Sequence, residues 1–308
     1  MSETLQELVA AELAQPVDPR VNAMAAAIAA KYPSAARAIL FYGSCLRSSE
    51  FDGQMLDFYL IVSDYKAAYG RSWMAPANRL IPPNVFPFEH GGLAAKYAVL
   101  SEADFRRLCG PGTLSVSVWA RFAQPSRLVW QADPQAAAAC VSAIALAAPT
   151  LLAAARPMLD EAPADPLQIW RLAFALTYSA ELRAERQERA SSVVDGDPER
   201  YRRFLKPALE AAGLGTSDGA TLELRPVSAA ERQAAARLWG RRRRIGKRLS
   251  VLRLAKASGT FAGGIDYLAW KINRHAGTEI SISPWQRKWP LLGAVTLLPR
   301  LLKRGAIR

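Results

Sequence analysis

The sequence predicts an α+β fold, in which a sheet flanked by helices precedes a mainly helical part and a basic amphipathic C-terminal segment. Short runs rich in β-forming residues lie between positions 38 and 100, bounded by glycine or polar clusters. From about residue 133, segments of helix-forming residues separated by turn signals replace these runs. This change of pattern predicts three regions, residues 1–132, 133–228 and 229–308.

Composition supports a folded protein of more than one domain. The chain has 308 residues, of which 51% are hydrophobic and 22% are charged. Its three cysteines, Cys45, Cys109 and Cys140, are too widely spaced to suggest a disulfide framework or a zinc site. The N-terminus carries acids where a secretory signal carries basic residues. We therefore expect a reducing, cytoplasmic location.

The first region predicts helices followed by a sheet. An N-terminal helical region includes a helix over residues 19–31, where apolar residues recur at helical spacing. Residues 38–42, 56–62 and 94–100 predict three strands, which we expect to share one sheet. The stretch 81–92 is rich in proline and predicts a loop.

The chain after the third strand predicts mainly helices. Ser101 is a predicted N-cap for a helix that extends through Arg107. The further helices are predicted over residues 136–155, 166–189 and 198–212, with a flexible connection over 213–220. Residues 229–256 predict a long basic helix or a pair of helices. The uncharged run 136–155 has the length of a membrane span, but its alanine content and Pro149 favour a helix of the folded protein.

An aspartate within a strand-forming run is the first indication of chemistry. Tyr42-Gly43-Ser44 follows the first strand, and Asp57 lies in the apolar run of the second. A Gly-Ser turn lets backbone N–H groups and a hydroxyl approach a phosphate closely, because glycine adds no side chain and tolerates positive φ. An acid on the next strand can hold a divalent metal ion beside that phosphate, as nucleotidyl transfer requires. A structural turn followed by a strand-edge acid is the alternative interpretation.

The pattern of a hydrophobic residue, Gly-Ser, a spacer and a strand acid resembles the nucleotidyltransferase superfamily. Tyr59 stands where that superfamily usually has a second acid. A narrower family, the mitochondrial-type CDP-diacylglycerol synthases (mitochondrial translocator assembly and maintenance proteins), also has an apolar residue there. The segments that resemble this family, in order, are YGS at 42–44, MLDF at 55–58, AKYAVLS at 95–101, WARFAQP at 119–125, LTYSAELR at 176–183 and GTFAG at 259–263.

The resemblance implies an activity and roles for the matched residues. The family transfers CMP from CTP to phosphatidic acid with Mg²⁺, giving CDP-diacylglycerol and pyrophosphate in phospholipid biosynthesis. It implies a nucleotidyltransferase-like sheet and a second, mainly helical domain, for which a winged-helix-like form is one option. The nucleotide-binding residues are then Tyr42, Gly43, Ser44 and Lys96, and the catalytic residues are Asp57, Lys96 and Arg121. Asp57 is the expected metal ligand, with Asp52 or Asp64 as candidates for a second one.

Two of these residues have a structural alternative. Lys96 interrupts an apolar strand, so it either meets an anion or reaches solvent from an edge strand. Arg121 either meets a phosphate or lies on the exposed face of a helix. His90 is expected to form hydrogen bonds in a loop rather than to act in catalysis, and His275 is expected at the surface.

The chain carries a formal net charge of +13, and much of it lies after residue 236. Such a charge favours a polyanionic partner, either a nucleic acid or an anionic membrane surface. Tryptophans beside basic residues on an amphipathic stretch are typical of a bilayer interface. The predicted membrane-binding residues are Trp285, Arg287, Lys288, Trp289, Arg300, Lys303 and Arg304. We expect peripheral attachment to the inner face of the cell membrane, whereas a packed helix with a solvated basic face is the alternative.

Two other functions remain open at this point. One is a nucleotidyltransferase that acts on a soluble phosphate or an RNA end. The other is a non-enzymatic, basic nucleic-acid-binding protein, which the run Arg241 to Arg244 favours. Nucleic acid is not the expected partner, because the basic stretches lack interleaved aromatic residues for base stacking. The sequence indicates no oligomeric state.

Overall fold

The computed structural model describes residues 3–48, 51, 53–181, 189–218, 221–260 and 283–284. Within these ranges the chain forms a mixed α+β structure, with a five-stranded sheet flanked by helices and a helical region after it. This confirms the predicted fold class.

The strands are β1 (Ala36–Tyr42), β2 (Met55–Val62), β3 (Asn84–His90), β4 (Leu93–Ser101), β5 (Ser126–Gln131), β6 (Gly215–Ser217) and β7 (Leu222–Leu224). The helices in the sheet region are α1 (Leu5–Leu13), α2 (Pro19–Ala30), α3 (Ser44–Ser48), α4 (Tyr65–Tyr69), α5 (Met74–Leu80), α6 (Glu102–Cys109) and α7 (Ser117–Phe122). The later helices are α8 (Pro134–Ile144), α9 (Ala147–Ala155), α10 (Gln168–Ser179), α11 (Arg189–Asp195), α12 (Pro198–Ala211) and α13 (Ala229–Thr260), with a short 3₁₀ turn at Arg156–Met158.

The main sheet has the strand order β3-β4-β2-β1-β5. β2 and β4 are parallel, whereas the other neighbouring strands are antiparallel. In this register Tyr42 of β1 pairs with Asp57 of β2, and Asp57 pairs with Lys96 of β4. The three strands predicted to share a sheet therefore do so, with β2 between the other two.

Each face of the sheet packs against its own helices. On one face, Leu40, Tyr59 and Ala98 belong to a buried cluster that also contains Trp119 and apolar residues of α8 to α12. On the other face, the buried cluster contains α2 and strand residues such as Phe58 and Tyr97. Burial of these apolar side chains is the main term that stabilises the two layers. Buried residues from both sides of the predicted boundary at 132 share the first cluster, and the three-region division stays a prediction.

Several local predictions are confirmed. The helix expected over 19–31 is α2, with Pro19 at its first position and Asp18 as its N-cap. Ser101 accepts a hydrogen bond from Asp104 N at the start of α6. The long basic helix expected over 229–256 is α13, which extends to Thr260.

The prediction of a loop over 81–92 was wrong, because this stretch contains the edge strand β3. Pro87 lies opposite Lys96 on this strand. An edge strand uses only alternate backbone groups for pairing, so it can accommodate a proline that a central strand cannot. The predicted connection over 213–220 likewise contains β6, which pairs with β7 in a ribbon of three residues per strand.

Two predicted helices are shorter than expected. The run over 136–155 is divided into α8 and α9 by a turn at Ala145 and Leu146, near Pro149, which has no N–H to donate. The segment Pro134–Met158 is apolar and long enough to cross a membrane, but 56% of its most apolar window is buried inside the protein. The helix expected over 166–189 ends at Ser179, where α10 terminates.

Candidate active site

The candidate site begins at the end of β1, where the chain turns at Gly43. This residue has φ +97°, a conformation that favours glycine. A Cβ atom placed on Gly43 would lie 3.0 Å from Asp57 Oδ2. The turn therefore brings bare backbone directly against the Asp57 carboxylate, and Ser44 follows as an exposed residue at the start of α3.

Asp57 and Lys96 form an ion pair across the parallel strands β2 and β4. Lys96 Nζ lies 2.9 Å from Asp57 Oδ1, and the two side chains are 29% and 19% exposed, respectively. Asp57 Oδ1 is buried and accepts no hydrogen bond, although Lys96 Nζ is close to it. The pair is thus an electrostatic contact through Oδ1, while Oδ2 lies beside the Gly43 turn.

A cavity of about 220 Å³ lies next to this pair, on the sheet face that carries Tyr59 and Ala98. Among the described residues, four basic side chains from three separate parts of the chain line it: Lys96, Arg121, Arg253 and Lys256. Glu181 is the carboxylate among the described lining residues, and Asp57 adjoins the cavity through Lys96. Because burial lowers the pKa of Lys256 to about 7, the described residues hold three full positive charges here against two carboxylates. This excess of positive charge favours a polyvalent anion such as a phosphate.

Arg121 is held over the sheet by aromatic residues. Its guanidinium carbon lies 5.0 Å from the ring centre of Tyr42, and Nη1 donates to the Tyr59 hydroxyl at 3.2 Å. Burial acts to lower the pKa of Arg121, but the neighbouring tyrosine oxygens and carboxylates outweigh it and raise the pKa. Arg121 is therefore a fixed positive charge inside the cavity, rather than a residue on an exposed helix face.

Helix α13 supplies two cations that the sequence analysis did not place in the site. Arg253 donates to Pro82 O at 2.7 Å and to the hydroxyls of Ser117 and Ser115 at 2.9 and 3.1 Å. Lys256, 8% exposed, donates to the carbonyls of Ile81 and Pro83. Burial lowers the pKa of both groups, that of Lys256 to about 7, with the charge of Arg253 contributing.

Glu181 is also a lining residue to which the sequence analysis gave no role. It follows the C-terminal end of α10 and exerts an attractive electrostatic effect on Arg121 and Arg253. The sequence did contain a signal for it, because Glu181 lies in one of the segments that carry the family resemblance. Because its negative charge repels anions, an anion in this cavity is expected to bind beside the basic residues rather than beside Glu181.

The structure does not bring Asp64 into this site. Asp64 is the N-cap of α4, and its Oδ1 accepts hydrogen bonds from Lys66 N at 2.8 Å and Ala67 N at 2.9 Å. It follows the far end of β2, seven residues from Asp57, which corresponds to roughly 20 Å of extended chain. Its carboxylate is therefore committed to a helix terminus, and it is not a second ligand beside Asp57.

The remaining predicted residues fall elsewhere. His90 is an exposed residue at the end of β3, with its ring stacked beside Phe88. Asp52 and His275 lie outside the described residues. So do all of the predicted membrane-binding residues: Trp285, Arg287, Lys288, Trp289, Arg300, Lys303 and Arg304.

The donor set fits a magnesium ion that a nucleotide brings with it. Among the described residues, no group of three or more histidine, cysteine, aspartate or glutamate side chains could hold a metal ion alone. Mg²⁺ commonly uses one or two carboxylates together with substrate phosphates and water. Asp57 Oδ2, which lies beside the Gly43 turn and is not the oxygen that contacts Lys96, is the atom that could serve in such a shared site. Comparison of the chain with protein-family models and with curated proteins finds no significant match.

Proposed function

We propose that this protein is a CTP:phosphatidate cytidylyltransferase, which transfers CMP from CTP to phosphatidic acid. The observation that carries the proposal is the position of the Asp57 carboxylate, which lies against the Gly43 turn and 2.9 Å from Lys96 beside a cationic cavity. A carboxylate, a bare backbone turn and several fixed cations are the groups that nucleotidyl transfer uses.

The family resemblance supports this particular reaction, because its segments converge on one place. Tyr42, Lys96, Arg121 and Glu181 belong to four segments that are far apart in the sequence, and all four line the cavity. Asp57, from a fifth segment, pairs with Lys96 at its margin. A chance resemblance in unrelated segments has no reason to assemble around a single cavity.

In the proposed reaction the triphosphate lies at the turn formed by Gly43 and Ser44. The small turn admits phosphate oxygens close to the backbone, and Asp57 together with those oxygens would hold Mg²⁺. When bound, Mg²⁺ neutralises charge on the triphosphate and on the leaving pyrophosphate. Lys96 and Arg121 supply further positive charge, and Arg121 is fixed in place by its contact with Tyr59.

The chemistry needs orientation and charge more than it needs a base. An anionic phosphate oxygen of the acceptor attacks the α-phosphorus of CTP and forms a new P–O bond. The bond from the α-phosphorus to the bridging oxygen breaks, and pyrophosphate leaves with that electron pair. Because the nucleophile is already an anion, no residue has to remove a proton. This agrees with the position of His90, which is exposed at the end of β3.

The acceptor is a membrane lipid, so the proposal includes peripheral attachment to an anionic membrane surface at the cytoplasmic side. The basic amphipathic stretch after residue 284 is the predicted anchor. Several basic residues are needed for useful binding, since each contributes only about 1 kcal/mol near an anionic surface.

The test is to incubate the full-length protein with labelled CTP, Mg²⁺ and vesicles that contain phosphatidic acid, and to measure labelled CDP-lipid. Asp57→Asn is the matched variant, because it keeps the size of the side chain and removes its charge. We expect CDP-diacylglycerol from the wild type and at least about 100-fold less from the variant.

Two results would overturn the proposal. One is the absence of CDP-lipid from the wild type. The other is an equal yield from the wild type and Asp57→Asn. Transfer of CMP to a soluble phosphate or to an RNA end, without any requirement for lipid, would instead favour the broader nucleotidyltransferase function.

A further inference from the structure

Two basic side chains of α13, the partly buried Arg253 and the buried Lys256, lie on the β3 side of the cavity. Arg253 and Lys256 contact the segment Ile81 to Pro83, which leads into β3. β3 is separated from β2, the strand of Asp57, by β4. Two strand spacings correspond to about 10 Å, which is the separation between β3 and the strand of Asp57.

Among the described residues, every hydrogen-bond acceptor of these two side chains is neutral. They are the carbonyls of Ile81, Pro82 and Pro83 and the hydroxyls of Ser115 and Ser117. Burying a charge without an ionic partner is unfavourable unless another group compensates for it. The carboxylate of Glu181 attracts Arg253, but it also attracts Arg121, so one negative charge serves two arginines. The cavity therefore retains positive charge on its β3 side that an anion would neutralise.

The position of α13 is fixed by contacts along the same helix face. Trp239 Nε1 donates to Ala154 O at 2.9 Å, and Arg242 lies over the rings of Trp119 and Trp239. A Cβ atom on Gly246 would lie 2.0 Å from Ala180 O, so the helix approaches the end of α10 very closely. Trp239, Gly246 and Arg253 are seven residues apart and so share one face. Arg253 and Lys256 are thus placed in the cavity by a rigid support.

We propose that Arg253 and Lys256 form a subsite for the phosphate monoester group of the acceptor. This inference rests on the proposed function. In-line attack places the acceptor phosphate opposite the leaving pyrophosphate, and the Gly43 turn is the proposed position of the triphosphate. The β3 side of the cavity is then left for the acceptor.

The experiment measures binding rather than turnover. Isothermal titration calorimetry of the full-length protein uses glycerol 3-phosphate as the phosphate monoester and, separately, CTP with Mg²⁺. The variant is Arg253→Gln/Lys256→Gln. The matched control is Lys247→Gln/Arg248→Gln, which removes the same charge from exposed positions of the same helix.

We expect the Arg253/Lys256 variant to bind glycerol 3-phosphate at least about tenfold more weakly and to bind CTP within about threefold of the wild type. The control should bind both ligands as the wild type does. The subsite is refuted if the wild type shows no saturable binding of glycerol 3-phosphate, if the Arg253/Lys256 variant binds it as tightly as the control, or if that variant loses CTP binding to the same extent.

Additional measurements distinguish failure of the proposed subsite from failure of the proposed function. If the double variant does not fold, the single changes Lys256→Met and Arg253→Lys replace it, with the same expected direction. A wild type that binds both ligands but makes no CDP-lipid contradicts the proposed function and leaves the subsite standing. A wild type that makes CDP-lipid, with an unchanged KM for phosphatidic acid in the double variant, contradicts the subsite alone.

A competition arm identifies the source of the phosphate monoester. Vesicles with phosphatidic acid are compared with vesicles of equal charge made with phosphatidylglycerol, whose phosphate is a diester. If only the phosphatidic acid vesicles displace glycerol 3-phosphate, the subsite binds the lipid headgroup. If neither kind of vesicle displaces it, the subsite binds a free phosphate monoester. Equal displacement by the two kinds of vesicle contradicts recognition of a monoester.

Discussion

Gly43 and Asp57 lie so close that a Cβ atom on Gly43 would be 3.0 Å from Asp57 Oδ2. β1 and β2 pair at this point, with Tyr42 opposite Asp57, and the chain turns away immediately afterwards at φ +97°. The register of two strands and the conformation of one glycine together place a carboxylate against a turn that can admit a phosphate.

The first prediction concerns Gly43→Ala. The new methyl group would press on the Asp57 carboxylate and strain the backbone, so we expect CMP transfer to fall by at least about tenfold, together with a loss of roughly 1–2 kcal/mol in stability. Gly91→Ala is the control, because Gly91 also has positive φ but has nothing within 4 Å of its added Cβ. It should lose similar stability and keep its activity, and equal losses of activity in both variants would contradict the proposed role of the turn.

The second prediction separates Asp57, which lies within β2, from Asp64, which follows that strand. Asp64→Ala removes the N-cap of α4, so the free energy of unfolding should fall by about 0.5–2 kcal/mol. CMP transfer by this variant should equal that of the wild type at a temperature where both are folded. Asp57→Asn should show the opposite pattern, with activity lost and the fold retained. Denaturant unfolding and CDP-lipid yield, measured on both variants, check this contrast.

The sequence made the turn and its carboxylate predictable because they are close together in the chain. Gly43, Ser44 and Asp57 lie within fifteen positions, and strand pairing of consecutive segments is enough to bring them into contact. The assignment of Lys96 to a strand of the same sheet was also predicted, but its pairing with Asp57 was not. What sequence could not give was the register that places these two side chains 2.9 Å apart.

The contribution of α13 was not predictable in the same way. Arg253 and Lys256 lie in a helix with many basic residues, and most such residues are solvated. Their contacts are with residues more than 130 positions earlier in the chain. Only the tertiary packing of α13 against Ala154 and Ala180 turns these two residues inward. β3 was missed for a different reason, since its proline is compatible only with an edge position.

The third prediction concerns the pH dependence of stability. The pKa of Lys256 is lowered by burial, and by the charge of Arg253, from 10.5 to about 7. Between these two values the unfolded chain binds a proton that the folded protein does not, so the wild type gains stability as pH rises from about 7 to about 10.5. Below about pH 7 the side chain is charged in both states, and the trend levels off.

The comparison for this prediction is with Lys256→Met. Groups common to both proteins, including Lys96, Arg121, Arg253 and Glu181 in the same cavity, cancel in the difference between the two unfolding free energies. That difference should change in favour of the wild type as pH rises through this window, by at most about 1.4 kcal/mol per pH unit. Denaturant unfolding at several pH values measures it. A difference that is independent of pH, or one that moves the other way, would show that Lys256 is not buried as a base of lowered pKa.

The last prediction uses two glycines of α13 that have opposite surroundings. A Cβ atom on Gly246 would meet Ala180 O at 2.0 Å, whereas one on Gly240 has nothing within 4 Å. Gly246→Ala should therefore force the helix away from α10 and lower the free energy of unfolding by at least about 2 kcal/mol. It should also weaken glycerol 3-phosphate binding, because Arg253 and Lys256 move with the helix. Gly240→Ala should raise stability by up to about 1 kcal/mol through helix propensity alone, with binding unchanged. Thermal unfolding and calorimetry on both variants test this, and a Gly246→Ala protein that is as stable as Gly240→Ala and binds equally well would contradict the close packing that positions the two cations.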